Sequence, residues 1–401
     1  MARHPSLRSR GTRILSGDYG YSGHFRHNSR EGLPAFGRLA KKPCSMTKDH
    51  LPNLDGTRTI AATLVLLQHA NFFPTIDGAP YFCSGPLAHM LFGNADTAVK
   101  FFFVLSGFLI TRLVLKQMYS QQGFSLTRFW LRRVLRIWPV YYLVVILGIV
   151  MAQTGEPLFS MKYNSYPLLF CFLENFDVIQ IFTHRHQPAY IPSILWSVSI
   201  EEQFYLLYPV VLLIVPRRAY TGLFAVIVLG AGYFRYFSQN EFHTISAFYE
   251  LGLGCLLAQL VHRRKPKQLH PVIHLLPYLL LIGLQFPLLD PRWASLLRPI
   301  LFACILYDQA FCPSSLLQTR FVPGLNGLGK ITYGLYSYHM IVVTLVYFFM
   351  KAYGTLPDGP LSFVLYLLGI LGISIGLSWL SYHYYETPLL ALSNRKPGSR
   401  G

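Results

Sequence analysis

Arg58 and His69 stand eleven residues apart in LDGTRTIAATLVLLQHA, Leu54 to Ala70, inside an apolar run long enough to cross a bilayer. A helix turns about 100° per residue, which brings the two within about 20° of one face and roughly 16 Å apart along the axis. A charged residue near the middle of a membrane helix costs roughly 2.5–3.5 kcal/mol, so such residues face a water-filled or functional interior. One helix therefore offers a cation near one membrane surface and, at mid-depth, an imidazole able to exchange a proton near neutral pH.

A second basic group lies in FWLRRVLRIWPVYY, where Arg132, Arg133 and Arg136 precede another apolar run and Arg133 and Arg136 share a helix face. Such clusters set topology and bind lipid headgroups. Guanidinium forks also grip phosphate oxygens, so a phosphate clamp facing soluble metabolites is the sharper reading. WSVSIEEQFYLLYPVVLLI places the adjacent carboxylates Glu201 and Glu202 at the head of an apolar helix, with Glu201, Tyr205 and Tyr208 along one face. Carboxylates suit a helix N-terminus. Two of them beside Gln203 exceed what capping requires, and a site role is expected. In GLGKITYGLYSYHMIVV, His339 sits among tyrosines and reads as a structural hydrogen-bonding group. In SYHYYETPLLAL, Glu386 and Pro388 are expected to end the last helix.

The elements that position these residues are membrane helices. With 52% hydrophobic and 13% charged residues, the chain falls outside the soluble range of about 25% charged and reads as an all-α polytopic integral membrane protein. Apolar runs at 58–76, 98–115, 137–153, 193–215, 219–237, 244–262, 272–290, 295–312, 331–350 and 361–381 give about ten spans. Basic residues gather in alternate connections, Arg112 to Arg136, Arg217 with Arg218, and His262 to Lys267. Those sides are read as cytoplasmic, with both termini among them, and the Glu201–Glu202 pair on the opposite side. Tyr166 to Phe182 would break this parity if it crossed. Its Glu174, Asn175 and Asp177 suit a re-entrant or interfacial segment instead.

Residues 1–45 form a basic extension, expected to be disordered or to precede a start at Met46; its nine basic and two acidic residues supply seven of the net +18, leaving +11. The transmembrane unit is expected over 46–392, with a basic cytoplasmic tail at 393–401. Six cysteines without a CxxC pair make no disulfide framework. Cys83 and Cys171 share the outer side, as a pair or as two unrelated thiols. His184 and His186 lack a third ligand, and no metal is expected. No nucleic-acid partner is expected either.

From Leu54 to Leu390 the chain resembles the acyltransferase 3 family of membrane-bound O-acyltransferases. LDGTRTIAATLVLLQHA, FFFVLSGFLITR, FWLRRVLRIWPVYY, WSVSIEEQFYLLYP, LGKITYGLYSYHM and SYHYYETP resemble its motifs in order. The family's Arg-x10-His pair falls on Arg58 and His69, its RxxR on Arg133 and Arg136, and its paired carboxylates on Glu201 and Glu202. The resemblance implies transfer of an acyl group, commonly acetyl, from cytosolic acyl-CoA to a hydroxyl of a carbohydrate or glycoconjugate, or of a smaller metabolite, at the plasma (inner) membrane. His69 would be the catalytic base, a contribution of about 10²–10⁴-fold. Arg58, Arg133 and Arg136 would hold the phosphates of CoA. Glu201 and Glu202 would orient the imidazole or receive the acceptor's hydroxyls. Direct transfer and an acyl-enzyme relay both fit.

Some relatives carry a C-terminal extracytoplasmic SGNH-type domain, whereas this chain ends about a dozen residues after Pro388. The expectation is therefore an extracytoplasmic partner protein or complete transfer within the membrane domain, surrounded by membrane lipid. A polytopic transporter or exporter using intramembrane His and Glu is the competing class, recognisable by uptake independent of acyl-CoA. A non-enzymatic membrane scaffold would tolerate replacement of His69 and Glu201.

Overall fold

Backbone in lipid must satisfy its own hydrogen bonds, so the apolar runs can only be helices. The computed structural model describes residues 51–392 apart from 94, 122, 187–189, 265, 267–270, 287–288, 313–314 and 316–317. The extension at 1–45 and the tail at 393–401 lie outside the described residues. In chain order the helices are α1 (Pro52–Phe72), α2 (Pro86–Phe92), α3 (Ala95–Met118), α4 (Leu126–Ala152), α5 (Tyr166–Phe170), α6 (Glu174–Thr183), α7 (Tyr190–Ser193) and α8 (Trp196–Ile214). They continue as α9 (Tyr220–Ser238), α10 (Thr244–Arg263), α11 (Pro271–Gly283), α12 (Pro291–Phe311), α13 (Leu325–Leu328), α14 (Thr332–Ala352), α15 (Pro360–Ser381) and α16 (Thr387–Leu392). The protein is all-α and polytopic, and no strand occurs among the described residues.

Nine of these segments are long and apolar enough to cross a membrane, built on α1, α3, α4, α8, α9, α10, α12, α14 and α15. The remaining apolar run of the ten, 272–290, holds α11. This helix has 13 residues and rises about 20 Å, short of the roughly 30 Å hydrocarbon core. Outward-facing Leu206, Ile214, Val226, Leu229, Leu365 and Leu368 are exposed, as lipid contact requires. The last helix departs from expectation. A π-turn over Tyr382–Glu386 carries it past Pro388 to Leu392, and the Thr387 hydroxyl donates to the Tyr382 carbonyl there at 2.7 Å. A widened turn accommodates a ring that lacks the amide hydrogen a regular turn would use.

The segment after α4 forms two short helices, α5 and α6, neither long enough to cross. Glu174, Asn175 and Asp177 are buried. Asn164 Nδ2 donates to Glu174 at 3.4 Å and to Asp177 at 3.3 Å. Burial, with Asp177 beside it, pushes the Glu174 carboxyl up to about 8. The fold thus retains a proton that the unfolded chain releases near pH 4.3, roughly the free glutamate value. Stability from this group is complete below that value and is lost as pH rises towards 8. Thermal melts of the detergent-purified protein should accordingly fall between pH 5 and pH 8, and Glu174→Gln should flatten that fall; equal slopes would mean the carboxyl is ionised throughout.

The closest helix pair is α3 against α10, and glycine permits it. A Cβ on Gly107 would lie 2.1 Å from the Leu251 carbonyl oxygen, and one on Gly254 would lie 2.0 Å from that of Val104. Gly254→Leu should cost about 1–3 kcal/mol or more through overpacking, read as a lower melting temperature. Gly230→Ala, whose added methyl meets nothing within 4 Å, should not. The same region is tied by buried charge. Lys100 pairs with Asp96 and, at 2.7 Å, with Glu241, while Arg235 meets Glu250 at 2.8 Å. Removing Arg235 would strand the buried Glu250 carboxylate.

Candidate active site

Arg58 from α1, Ser106 from α3, Arg133 and Arg136 from α4, and Glu201 and Tyr205 from α8 line one cavity. Its empty space is about 790 Å³ including the open mouth. The Nε atoms of Arg58 and Arg133 are buried there without a hydrogen-bond partner. The Arg133 guanidinium lies 5.7 Å above the Phe129 ring and 5.6 Å above the Tyr205 ring. Aromatic faces hold a cation in place while leaving its donors free. A buried N–H without an acceptor is costly unless a ligand supplies one, so the cavity suits an anion.

Glu201 is fixed from two sides. Its Oε1 accepts from the Ser106 hydroxyl at 2.6 Å and its Oε2 from the Tyr205 hydroxyl at 2.7 Å. Tyr205 is in turn anchored through its backbone. Pro209 has no N–H to return to the Tyr205 carbonyl, and Trp130 Nε1 donates to that oxygen instead at 3.1 Å. The proline thus opens a place for a side chain of α4 to lock onto α8.

Two expectations about placement are corrected. The sequence places the arginines at the start of their span and the carboxylates on the side opposite the arginine loops. In fact α4 begins at Leu126, so Arg133 and Arg136 lie about 10 and 15 Å along it, and they line the same cavity as Glu201. Charge ended the apolar run in the sequence without ending the helix. Secondly, Glu202 does not join Glu201. It points about 100° away, where Trp138 Nε1 donates to its Oε2 at 3.0 Å, and it is not among the residues lining the cavity.

His69 also lies outside that lining. Its Nδ1 is 2.9 Å from the Val65 carbonyl oxygen and 3.2 Å from Nε2 of His339, with ring centroids 5.1 Å apart. His339 is fully buried on α14, one turn beyond Tyr336, whose ring does line the cavity. The arginine cavity and the histidine pair are therefore neighbours linked by one turn of α14. Sequence reasoning missed this pairing and the Ser106 contact, since each joins residues far apart in the chain. The small pair Ser106–Gly107 did carry a signal: Gly107 admits α10 while Ser106 faces the cavity.

Elsewhere, His186 stacks on Tyr163 at 3.9 Å, and Cys83 and Cys171 carry free thiols. One His–Asp–Cys group, His274, Asp308 and Cys312, gathers its donor atoms within 4.8 Å. Asp308 Oδ1 faces His274, and its Oδ2 accepts from Ser315 at 2.7 Å and Tyr278 at 3.1 Å. The carboxylate takes its hydrogen bonds on Oδ2, one of them from Tyr278, and so joins α11 to α12.

Helices that cross a membrane around an anion-receptive cavity, with an ionisable histidine pair beside it, define a multi-pass membrane protein built for chemistry rather than for packing alone. The acyltransferase domain profile matches residues 51–383, and the chain belongs to that acyltransferase family, the acyltransferase 3 family. Among its relatives, O-acetyltransferase OatA of Staphylococcus aureus strain NCTC 8325 is 28% identical over 369 residues, covering 85% of this chain and 57% of the relative. A second Staphylococcus aureus protein, from strain COL and provisionally named an O-acetyltransferase, is 29% identical over 376 residues, covering 84% and 57%. The chain thus spans little more than half the length of these relatives. No solved structure matches it significantly.

Proposed function

We propose that the protein moves an acyl group, acetyl in the first instance, from cytosolic acyl-CoA to a hydroxyl of a carbohydrate or glycoconjugate. The observation that carries this reading is the convergence of Arg58, Arg133 and Arg136 on one cavity with two buried donors unpaired. Phosphate oxygens of the donor would satisfy those donors, and the extended arm of CoA would lead the thioester inwards. The O-acetyltransferase names of the relatives support the choice of acyl group and acceptor atom.

In the reaction, neutral His69 takes the hydroxyl proton as the acceptor oxygen attacks the thioester carbonyl carbon. The carbon–sulfur bond then breaks, and the proton held by His69 passes to the departing thiolate. Glu201 keeps Ser106 and Tyr205 oriented and offsets the arginine charge. Glu202, held by Trp138, supports the α4–α8 contact from outside the cavity. The reaction needs no metal.

We place the basic connections and both termini in the cytosol at the plasma membrane, with α11 and the turn after it making up the tenth crossing. The acceptor then arrives from the extracytoplasmic side, alone or presented by a partner protein. Sidedness tests the reading. Vesicles exposing the cytosolic face should release CoA thiol from external acetyl-CoA when acceptor is supplied, and sealed vesicles of the opposite orientation should not. Equal release from both orientations would contradict a cytosolic donor site.

A further inference from the structure

His339 has no part in the transfer chemistry set out above, yet its ring touches the proposed base. The positions of the ring nitrogens fix where the protons sit. His339 Nδ1 lies 2.6 Å from the Tyr336 carbonyl oxygen, an acceptor that only an N–H can approach so closely. A neutral imidazole carries one such hydrogen, so His339 Nε2 presents a lone pair. That lone pair faces His69 Nδ1 at 3.2 Å, and the Val65 carbonyl oxygen faces the same atom at 2.9 Å. Two acceptors converge on His69 Nδ1, which therefore bears the hydrogen. The lone pair of His69 is left on Nε2.

We infer that His339 is a positioning residue that holds His69 in the Nδ1–H tautomer, so that Nε2 of His69 is the atom that takes the acceptor's proton. The inference rests on the reading of His69 as base. Its physical advantage is charge economy. When Nε2 takes the proton and the ring becomes a cation, Nδ1–H keeps the Val65 carbonyl and the His339 lone pair as its acceptors. No hydrogen-bonding carboxylate meets either ring among the described residues, so the resting pair carries no buried anion, which lipid surroundings would penalise. His339 is itself held through the Tyr336 turn, whose hydroxyl donates to the Ile194 carbonyl at 2.9 Å and lies 2.6 Å from the Ser197 hydroxyl.

The test compares His339→Leu with His339→Gln in the full-length chain, using acetyl-CoA turnover per mole of folded protein. Glutamine can accept from His69 through Oε1 and donate to the Tyr336 carbonyl through Nε2; leucine can do neither. Leucine should lower kcat by about 10–100-fold, the usual scale for residues that orient a functional histidine, with the KM for acetyl-CoA unchanged. Glutamine should recover most of the loss. Should the leucine variant not fold, His339→Phe keeps the ring volume without a lone pair and is expected to behave as leucine should. Wild-type kcat in the apolar variant, or a glutamine variant no better than it, would overturn the inference while leaving acyl transfer intact. An inactive wild type would instead overturn the acyltransferase reading beneath it.

Discussion

Replacing His69 with alanine is expected to lower acyl-transfer turnover by about 10²–10⁴-fold, the usual contribution of a positioned general base, while donor binding stays near the wild-type value. The separation of effects follows from geometry. The arginine cavity is lined by α1, α3, α4, α8 and α14 without the His69 side chain, so removing the imidazole takes away a proton acceptor and no phosphate contact. Steady-state kinetics should show kcat falling with KM for acetyl-CoA unchanged, the signature of an interaction made only in the transition state. A parallel rise in KM would place His69 in the donor site instead.

Arg58→Ala and Arg133→Ala should act in the opposite sense. Each removes a cation whose buried Nε has no acceptor in the unliganded protein, and each lost charge-assisted hydrogen bond to a phosphate is worth about 1.5–3 kcal/mol. That corresponds to a rise of roughly 10–100-fold in the KM for acyl-CoA. The unliganded variants should melt at or above the wild-type temperature, because a desolvated charge has gone and nothing was bonded to its Nε. Lysine at either position should restore little, since its ammonium lacks the planar fork. Stability measured with and without acetyl-CoA separates the two effects: wild type should gain stability on donor addition and the alanine variants should gain far less.

Much of the architecture was legible in the sequence because lipid imposes it. Apolar runs and basic connections located the spans from Asn53 to Leu392, and the polar Glu174–Asp177 stretch was correctly expected not to cross. The errors fell where a local rule met tertiary structure. Charged residues were taken to end the third span, although snorkelling and a polar cavity let α4 begin at Leu126 and carry Arg133 and Arg136 inwards. Pro388 predicts a helix end, whereas a π-turn continues the helix to Leu392.

At the site, residue types were legible and their partners were not. Arg58, Arg133, Arg136 and Glu201 meet in one cavity, but the division of labour between Glu201 and Glu202 depends on helix rotation, which a stretch apolar on nearly every side does not specify. His339 lies 270 residues from His69, and no periodicity within α1 or α14 encodes that the two rings touch.

The proposed reaction of this membrane domain is transfer of an acyl group from CoA to a carbohydrate hydroxyl with His69 as base. Its most direct test follows label from acetyl-labelled acetyl-CoA into envelope glycans and small glycosides, in membranes carrying wild type or His69→Ala at matched folded amounts. Ester-linked label on a carbohydrate is expected with wild type, and a loss of about 10²–10⁴-fold with the variant. Equal labelling by both proteins would contradict it.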